Sequence, residues 1–150
     1  MTPAAPAANV AALLRRTART WPRACALAHG EGAGVAYATL ARRVARLAAN
    51  LRRAGLAPGA RVALVSRNEP GYVEALFACW WAGLVAVPVN AKLHPKELAF
   101  VIEDSGARFA FVDEAWHASL SAAAIGAVAL RDAVAFGSPA HAALADGDDE

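Results

Sequence analysis

Residues 61–90, RVALVSRNEPGYVEALFACWWAGLVAVPVN, leave this chain few ways to fold. Arg61-Val-Ala-Leu-Val-Ser66 is a short valine-rich run, the pattern of a strand covered on both faces. Asn68 offers a side-chain oxygen to cap a helix, and Pro70 suits a first turn where no intrahelical N–H is needed. The helix is expected to run to about Ala82. Gly83 ends it, because glycine takes the left-handed conformation without a Cβ penalty. Leu84-Val-Ala-Val-Pro-Val89 then reads as a second buried strand. A strand–helix–strand crossover of this kind builds a parallel sheet covered by helices.

The flanking sequence repeats that alternation. Asn9 caps a helix to about Thr20, with Val10, Leu13, Leu14 and Ala18 on one face. Ala24–His29 and Val35–Tyr37 form a short hairpin around Gly30-Glu-Gly-Ala-Gly34. The spaced glycines resemble the start of a dinucleotide fingerprint. A strand, not a helix, follows them, so a hairpin turn is the expected reading. A helix from Tyr37 or Ala38 to about Ala54 carries Leu40, Val44, Leu47, Ala48 and Leu51 as its apolar stripe. Pro58-Gly59 turns the chain into the central strand. After it come a helix from Pro95 to Ser105, a strand at Arg108–Asp113, a weaker helix at Trp116–Ala124 and a short strand at Ala127–Leu130. Strands alternating with helices give an α/β fold with a largely parallel sheet.

Composition narrows the function classes. The net charge of +2 argues against a nucleic-acid partner. Ten arginines and one acid, Glu31, fall between Met1 and Arg61; they are read as the solvated faces of amphipathic helices. Cys25 and Cys79 form no metal or redox spacing and are read as reduced, buried thiols of a cytoplasmic protein. The apolar run Ala75–Val89 is shorter than the ~18–20 residues that span a bilayer, so no transmembrane segment is expected. His29, His94, His117 and His141 stand singly, and no metal site is expected from them. No Gly-Lys-Ser/Thr phosphate loop, H-E-x-x-H or G-x-S-x-G occurs. Glu103 and Asp104 are adjacent on a helix and point apart.

Asn68-Glu69, Ala82-Gly83, Val87-Pro88-Val89-Asn90 and Lys92-Leu93 together resemble the N-terminal region of AMP-forming acid–CoA ligases, the adenylate-forming superfamily. The resemblance runs from about Ala8 to Glu114. It implies a division into a disordered N-terminus (1–8), the N-terminal part of the AMP-binding (adenylation) domain (9–136), and a linker (137–150) toward a phosphate-binding loop past Glu150. Its fold would be part of the large N-terminal domain: a mostly parallel sheet covered by helices, with a short hairpin. In such enzymes the helix at Tyr37 usually opens with a threonine and a glutamate; here Ala36 and Thr39 stand there, and the capping box is lost. Val87-Pro88-Val89-Asn90-Ala91-Lys92-Leu93 is more similar to ligases of fatty or aromatic acids than to amino-acid-activating modules.

The resemblance implies a two-step reaction. A carboxylate attacks the α-phosphorus of Mg-ATP to give an acyl-adenylate and pyrophosphate; coenzyme A then displaces AMP. The family's Ser/Thr/Gly loop and late lysine match no position here. No catalytic, cofactor-binding or metal residue is therefore assigned. ATP, Mg2+ and coenzyme A are implied for the full enzyme, with the rest of the adenylation domain, the C-terminal domain and a carboxylic acid as partners. The chain alone is expected to be inactive, and its oligomeric state stays open. Pro88, Asn90 and Lys92 are read as structural: a strand end, a turn holder and a solvated cation. The alternative is a non-catalytic remnant or small α/β binding module. Its ligand would sit at the carboxyl ends of the strands, near Ser66-Arg67-Asn68 and Asn90-Ala91-Lys92.

Overall fold

A computed structural model describes residues 9–122, 130 and 132–146. Helix α1 (Ala11–Thr20) leads to an antiparallel hairpin of β1 (Cys25–Leu27) and β2 (Val35–Ala36), then to α2 (Tyr37–Arg53). From there strands and helices alternate: β3 (Arg61–Val65), α3 (Pro70–Ala82), β4 (Val85–Val89), α4 (Pro95–Ser105), β5 (Phe109–Val112), α5 (Glu114–Ala122), β6 (Asp132–Ala135) and α6 (Pro139–Asp146). The main sheet is parallel throughout, in the order β4-β3-β5-β6.

Strand β3 is central, and its alternation sorts the two faces. Val62 and Leu64 enter one core with Phe109, Phe111 and residues of α2 and α3. Ala63 and Val65 enter the other, with Ala110, Val112, Leu98, Ile102 and Trp116. A period of two sends successive side chains to opposite faces, so a strand with helices on both sides must be apolar at every position. Residues 62–65 are all fully buried.

Sequence and structure agree on the helix ends that glycine governs. Gly83 takes φ 76°, and Leu84 N–H donates to Cys79 O at 2.8 Å, closing a Schellman turn. Helix α2 starts at Ala36 without a side-chain cap, as the missing capping box predicts. His94 caps α4: its ring nitrogen accepts from Lys96 N–H, while Glu97 accepts from His94 N–H.

Several expectations are corrected. Glu69, not Asn68, is the N-cap residue of α3 and makes no side-chain cap bond; Asn68 is exposed. Strand β4 is not buried like β3. Among the described strands it is outermost, with Val85 and Pro88 exposed; an edge tolerates proline because one side of the ladder needs no donor. On α1 the buried residues are Ala11 and Leu14, whereas Val10 and Leu13 are about half exposed, at 48% and 55%. Asn9 does accept from Ala11 N–H at 2.8 Å, and its amide also ties α1 to Trp80 O. The strand expected at Ala127–Leu130 falls mostly outside the described residues; β6 lies at Asp132–Ala135. Where a solvated linker was expected beyond Gly137, Pro139–Asp146 form a helix with Ala145 and His141 buried. Asn50 of α2 donates to Leu144 O at 2.8 Å, fixing that helix to the core. The expected disordered stretch 1–8 lies outside the described residues.

The two thiols also part company. Cys79 is buried in α3, and burial pushes its thiol up to about 12; Cys25 is exposed on β1. At pH 8 iodoacetamide should alkylate Cys25 in the folded chain and spare Cys79 until denaturant is added. Mass spectrometry of the labelled peptides reads this directly, and equal labelling of both would contradict the packing of α3.

Candidate functional site

In a parallel sheet of this type the strand carboxyl ends are where loops leave and ligands gather. Two such loops stand side by side here. Ser66-Arg67-Asn68 follows β3, and Asn90-Ala91-Lys92 follows β4. With Tyr72, from the first turn of α3, and Pro88–Val89 they line a cleft of ≈ 460 Å³. The alternative reading of the sequence placed a ligand at these same two segments, and the fold brings them together.

Each wall has a local cause. Ser66 Oγ donates to Glu69, so the chain turns tightly from β3 into α3. Asn90 Oδ1 accepts from Lys92 N–H at 2.9 Å, the Asx turn expected of a turn holder. Trp116 supports that turn from α5: its indole N–H donates to Ala91 O at 3.1 Å. Asp113 in turn accepts from Trp116 N–H at 3.0 Å, and its own N–H donates to Val65 O at 3.0 Å. The bracing residue is 25 positions from its partner. Nothing in the local sequence pairs Trp116 with Ala91, so sequence reasoning missed it, as it missed Tyr72.

The two charged side chains of the lining are both cations. Arg67 and Lys92 are exposed, and neither side chain meets a carboxylate among the described residues. The lining contains no Asp or Glu. Partial burial raises the Tyr72 phenol above its usual range, so it stays a neutral hydroxyl. Two cations, two amides and a phenol around the cleft suit an anionic group.

The histidines lie on separate elements. His94 caps α4, His29 lies exposed at the end of the hairpin, and His141 packs edge-on against Phe111 and Phe136. Among the described residues no three His, Cys, Asp or Glu side chains gather as a metal site.

Comparison with known proteins now decides the family. Residues 14–148 match the AMP-binding enzyme profile. This chain belongs to the AMP-binding enzyme family. Relatives include the feruloyl-CoA synthase of Amycolatopsis sp, 53% identical over 92 residues, which are 61% of this chain and 18% of that protein. The fatty acid–[acyl-carrier-protein] ligase ScoC of Streptomyces coeruleorubidus is 42% identical over 84 residues, 56% of this chain and 16% of that protein. The solved N-terminal domain of FACL13 from Mycobacterium tuberculosis superposes with a TM-score of 0.84 at 25% identity, covering 95% of this chain and 37% of that one. The chain therefore spans less than a fifth of the curated relatives it matches and corresponds to part of an AMP-binding domain. The fold is that of the N-terminal domains of adenylate-forming enzymes, as the resemblance implied. The family match extends across α6, well past Gly137.

Proposed function

We propose that this chain is the N-terminal portion of an ATP-dependent acid–CoA ligase. In the proposed reaction a carboxylate displaces pyrophosphate from ATP to give an acyl-adenylate, and the coenzyme A thiol then displaces AMP. The match of residues 14–148 to the AMP-binding family carries this reading. Relatives named for ferulate and for a fatty acid support an aromatic or fatty acid as the substrate, with a hydroxycinnamate such as ferulate the first to test. The cytoplasm is the proposed location. Among the described residues no helix is long and apolar enough to cross a membrane.

The cleft fits one part of the required chemistry. ATP and coenzyme A both carry phosphates, and magnesium, when bound, would neutralise the charge of the pyrophosphate that leaves ATP. Arg67 and Lys92 would hold a phosphate of one of these co-substrates, with Asn68, Asn90 and Tyr72 orienting it by neutral hydrogen bonds. Removal of either cation, Arg67→Gln or Lys92→Gln, is expected to weaken pyrophosphate binding to the chain roughly tenfold. The binding should also fall with added salt, since exposed cations are screened. Calorimetry checks both; unchanged affinity in the two variants would contradict the assignment.

The chain alone is proposed to be inactive. Incubated with ATP, Mg2+, coenzyme A and ferulate, it should release no pyrophosphate; turnover would sink that part of the proposal. The cleft also favours a second reading, a non-catalytic binding module. A chain that binds ATP, AMP or coenzyme A saturably, yet yields no product when grafted into a full-length relative, would support it.

A further inference from the structure

The two loops of the cleft leave the sheet at one level. Val65, the last residue of β3, is in register with Val89 of β4 on one side and Val112 of β5 on the other. The Arg67 loop is held locally, by Ser66 on Glu69. The Lys92 loop has only short-range bonds of its own, from Lys92 N–H to Asn90 Oδ1 at 2.9 Å and from Leu93 N–H to Asn90 O at 3.3 Å. Among the described residues one hydrogen bond reaches Ala91, Lys92 or Leu93 from outside the loop: the Trp116 indole N–H donates to Ala91 O at 3.1 Å. Trp116 is itself fixed. It is buried in one core with Val65, Val89 and Leu98. Its backbone N–H is held by Asp113, whose own N–H donates to Val65 O. One indole thus links the end of β3 to the tip of the loop that carries Lys92.

We propose that Trp116 is a positioning residue for phosphate binding: its indole N–H holds the 90–93 loop so that Lys92 faces the cleft together with Arg67. This role rests on the assignment of the cleft to a phosphate of a co-substrate. Binding by a loop is weakened in proportion to the fraction of time that its competent arrangement is populated. An exposed lysine on a turn with two short-range bonds leaves that fraction low. A rigid aromatic side chain anchored in the core raises it without any new contact to the ligand. Trp116 therefore touches no phosphate and acts through Lys92 alone. A ring that only filled space could as well be phenylalanine. The N–H aimed at Ala91 O is what tryptophan adds here.

Calorimetry with inorganic pyrophosphate on Trp116→Phe tests it. The variant keeps a ring and loses the donor, so it should bind about fivefold more weakly while its urea midpoint stays close to the parent's. In the Arg67→Gln background the same loss should appear. In the Lys92→Gln background it should vanish, because the cation being positioned is gone. A general loss of stability would not separate the two backgrounds. A second readout needs no variant to fold. In the parent chain, pyrophosphate should slow hydrogen exchange of the Trp116 indole N–H roughly threefold, because ligand and indole favour the same loop arrangement. The exposed Trp21 indole should be unaffected. Parent-like affinity in Trp116→Phe, a loss that persists in the Lys92→Gln background, or unchanged exchange of the Trp116 indole on binding would overturn the proposal and leave the phosphate assignment standing. A parent chain that binds no pyrophosphate would overturn the phosphate assignment, and this role of Trp116 with it.

Discussion

Phe111→Ala is expected to destabilise the chain by about 3–5 kcal/mol. Phe111 is fully buried on β5, the strand that pairs with both β3 and β6. Its ring stacks on Phe136 at 5.5 Å, with an interplanar angle of 16°, and lies 5.1 Å from Phe109. His141 of α6 meets it edge-on at 6.0 Å. Truncation therefore removes a side chain and also undoes the contact that seats α6 on the sheet. Gly71 sharpens this: a Cβ there would stand 2.9 Å from Phe136 Cδ1, so the first turn of α3 also relies on that ring's place. Urea unfolding followed by circular dichroism measures the destabilisation; a loss below about 1 kcal/mol would mean that this core is not formed as described.

Arg43→Met is expected to cost about 2 kcal/mol, and adding Glu74→Leu should restore most of it. Glu74 is buried in α3 at 3% exposure, and Arg43 of α2 reaches it at 3.0 Å. Removing the arginine leaves a carboxylate out of water without its counter-charge, which costs 3–5 kcal/mol when both partners are fully buried. The Arg43 side chain is 40% exposed, so water screens part of that loss and the smaller figure applies. Replacing both groups by apolar ones removes the stranded charge, and the two sites touch, so their effects should not add. If the double variant is as unstable as the sum of the single ones, the pair does not interact as the structure has it.

Much of the fold was legible because it rests on local rules. The strand–helix–strand unit from Arg61 to Val89 follows from a short apolar run, a proline at the first position of a helix and a glycine at its end. The hairpin follows from turn chemistry in the same way. What escaped depends on which elements meet in space. Val10 and Leu13 share helical spacing with Leu14, but α2 and α3 cover only part of that arc. Val85–Val89 reads like β3, yet it sits at the outside of the described sheet. Pro139–Asp146 has weak amphipathic character and becomes a helix because α2 offers it Asn50 and the Phe136 ring a seat. The cleft was legible as two loops, Ser66–Asn68 and Asn90–Lys92. Its brace by Trp116 and its wall at Tyr72 depend on tertiary packing and leave no local mark.

The central claim is that this chain is the front of a working acid–CoA ligase. Its most direct test is to replace the N-terminal segment of the Amycolatopsis feruloyl-CoA synthase with residues 14–148 of this chain, the stretch that matches the family. The measurement is ferulate-dependent release of pyrophosphate and formation of the CoA thioester. The account predicts a soluble chimera that retains both activities, with the Lys92→Gln chimera impaired. A chimera that folds and binds ATP but makes neither product would contradict it.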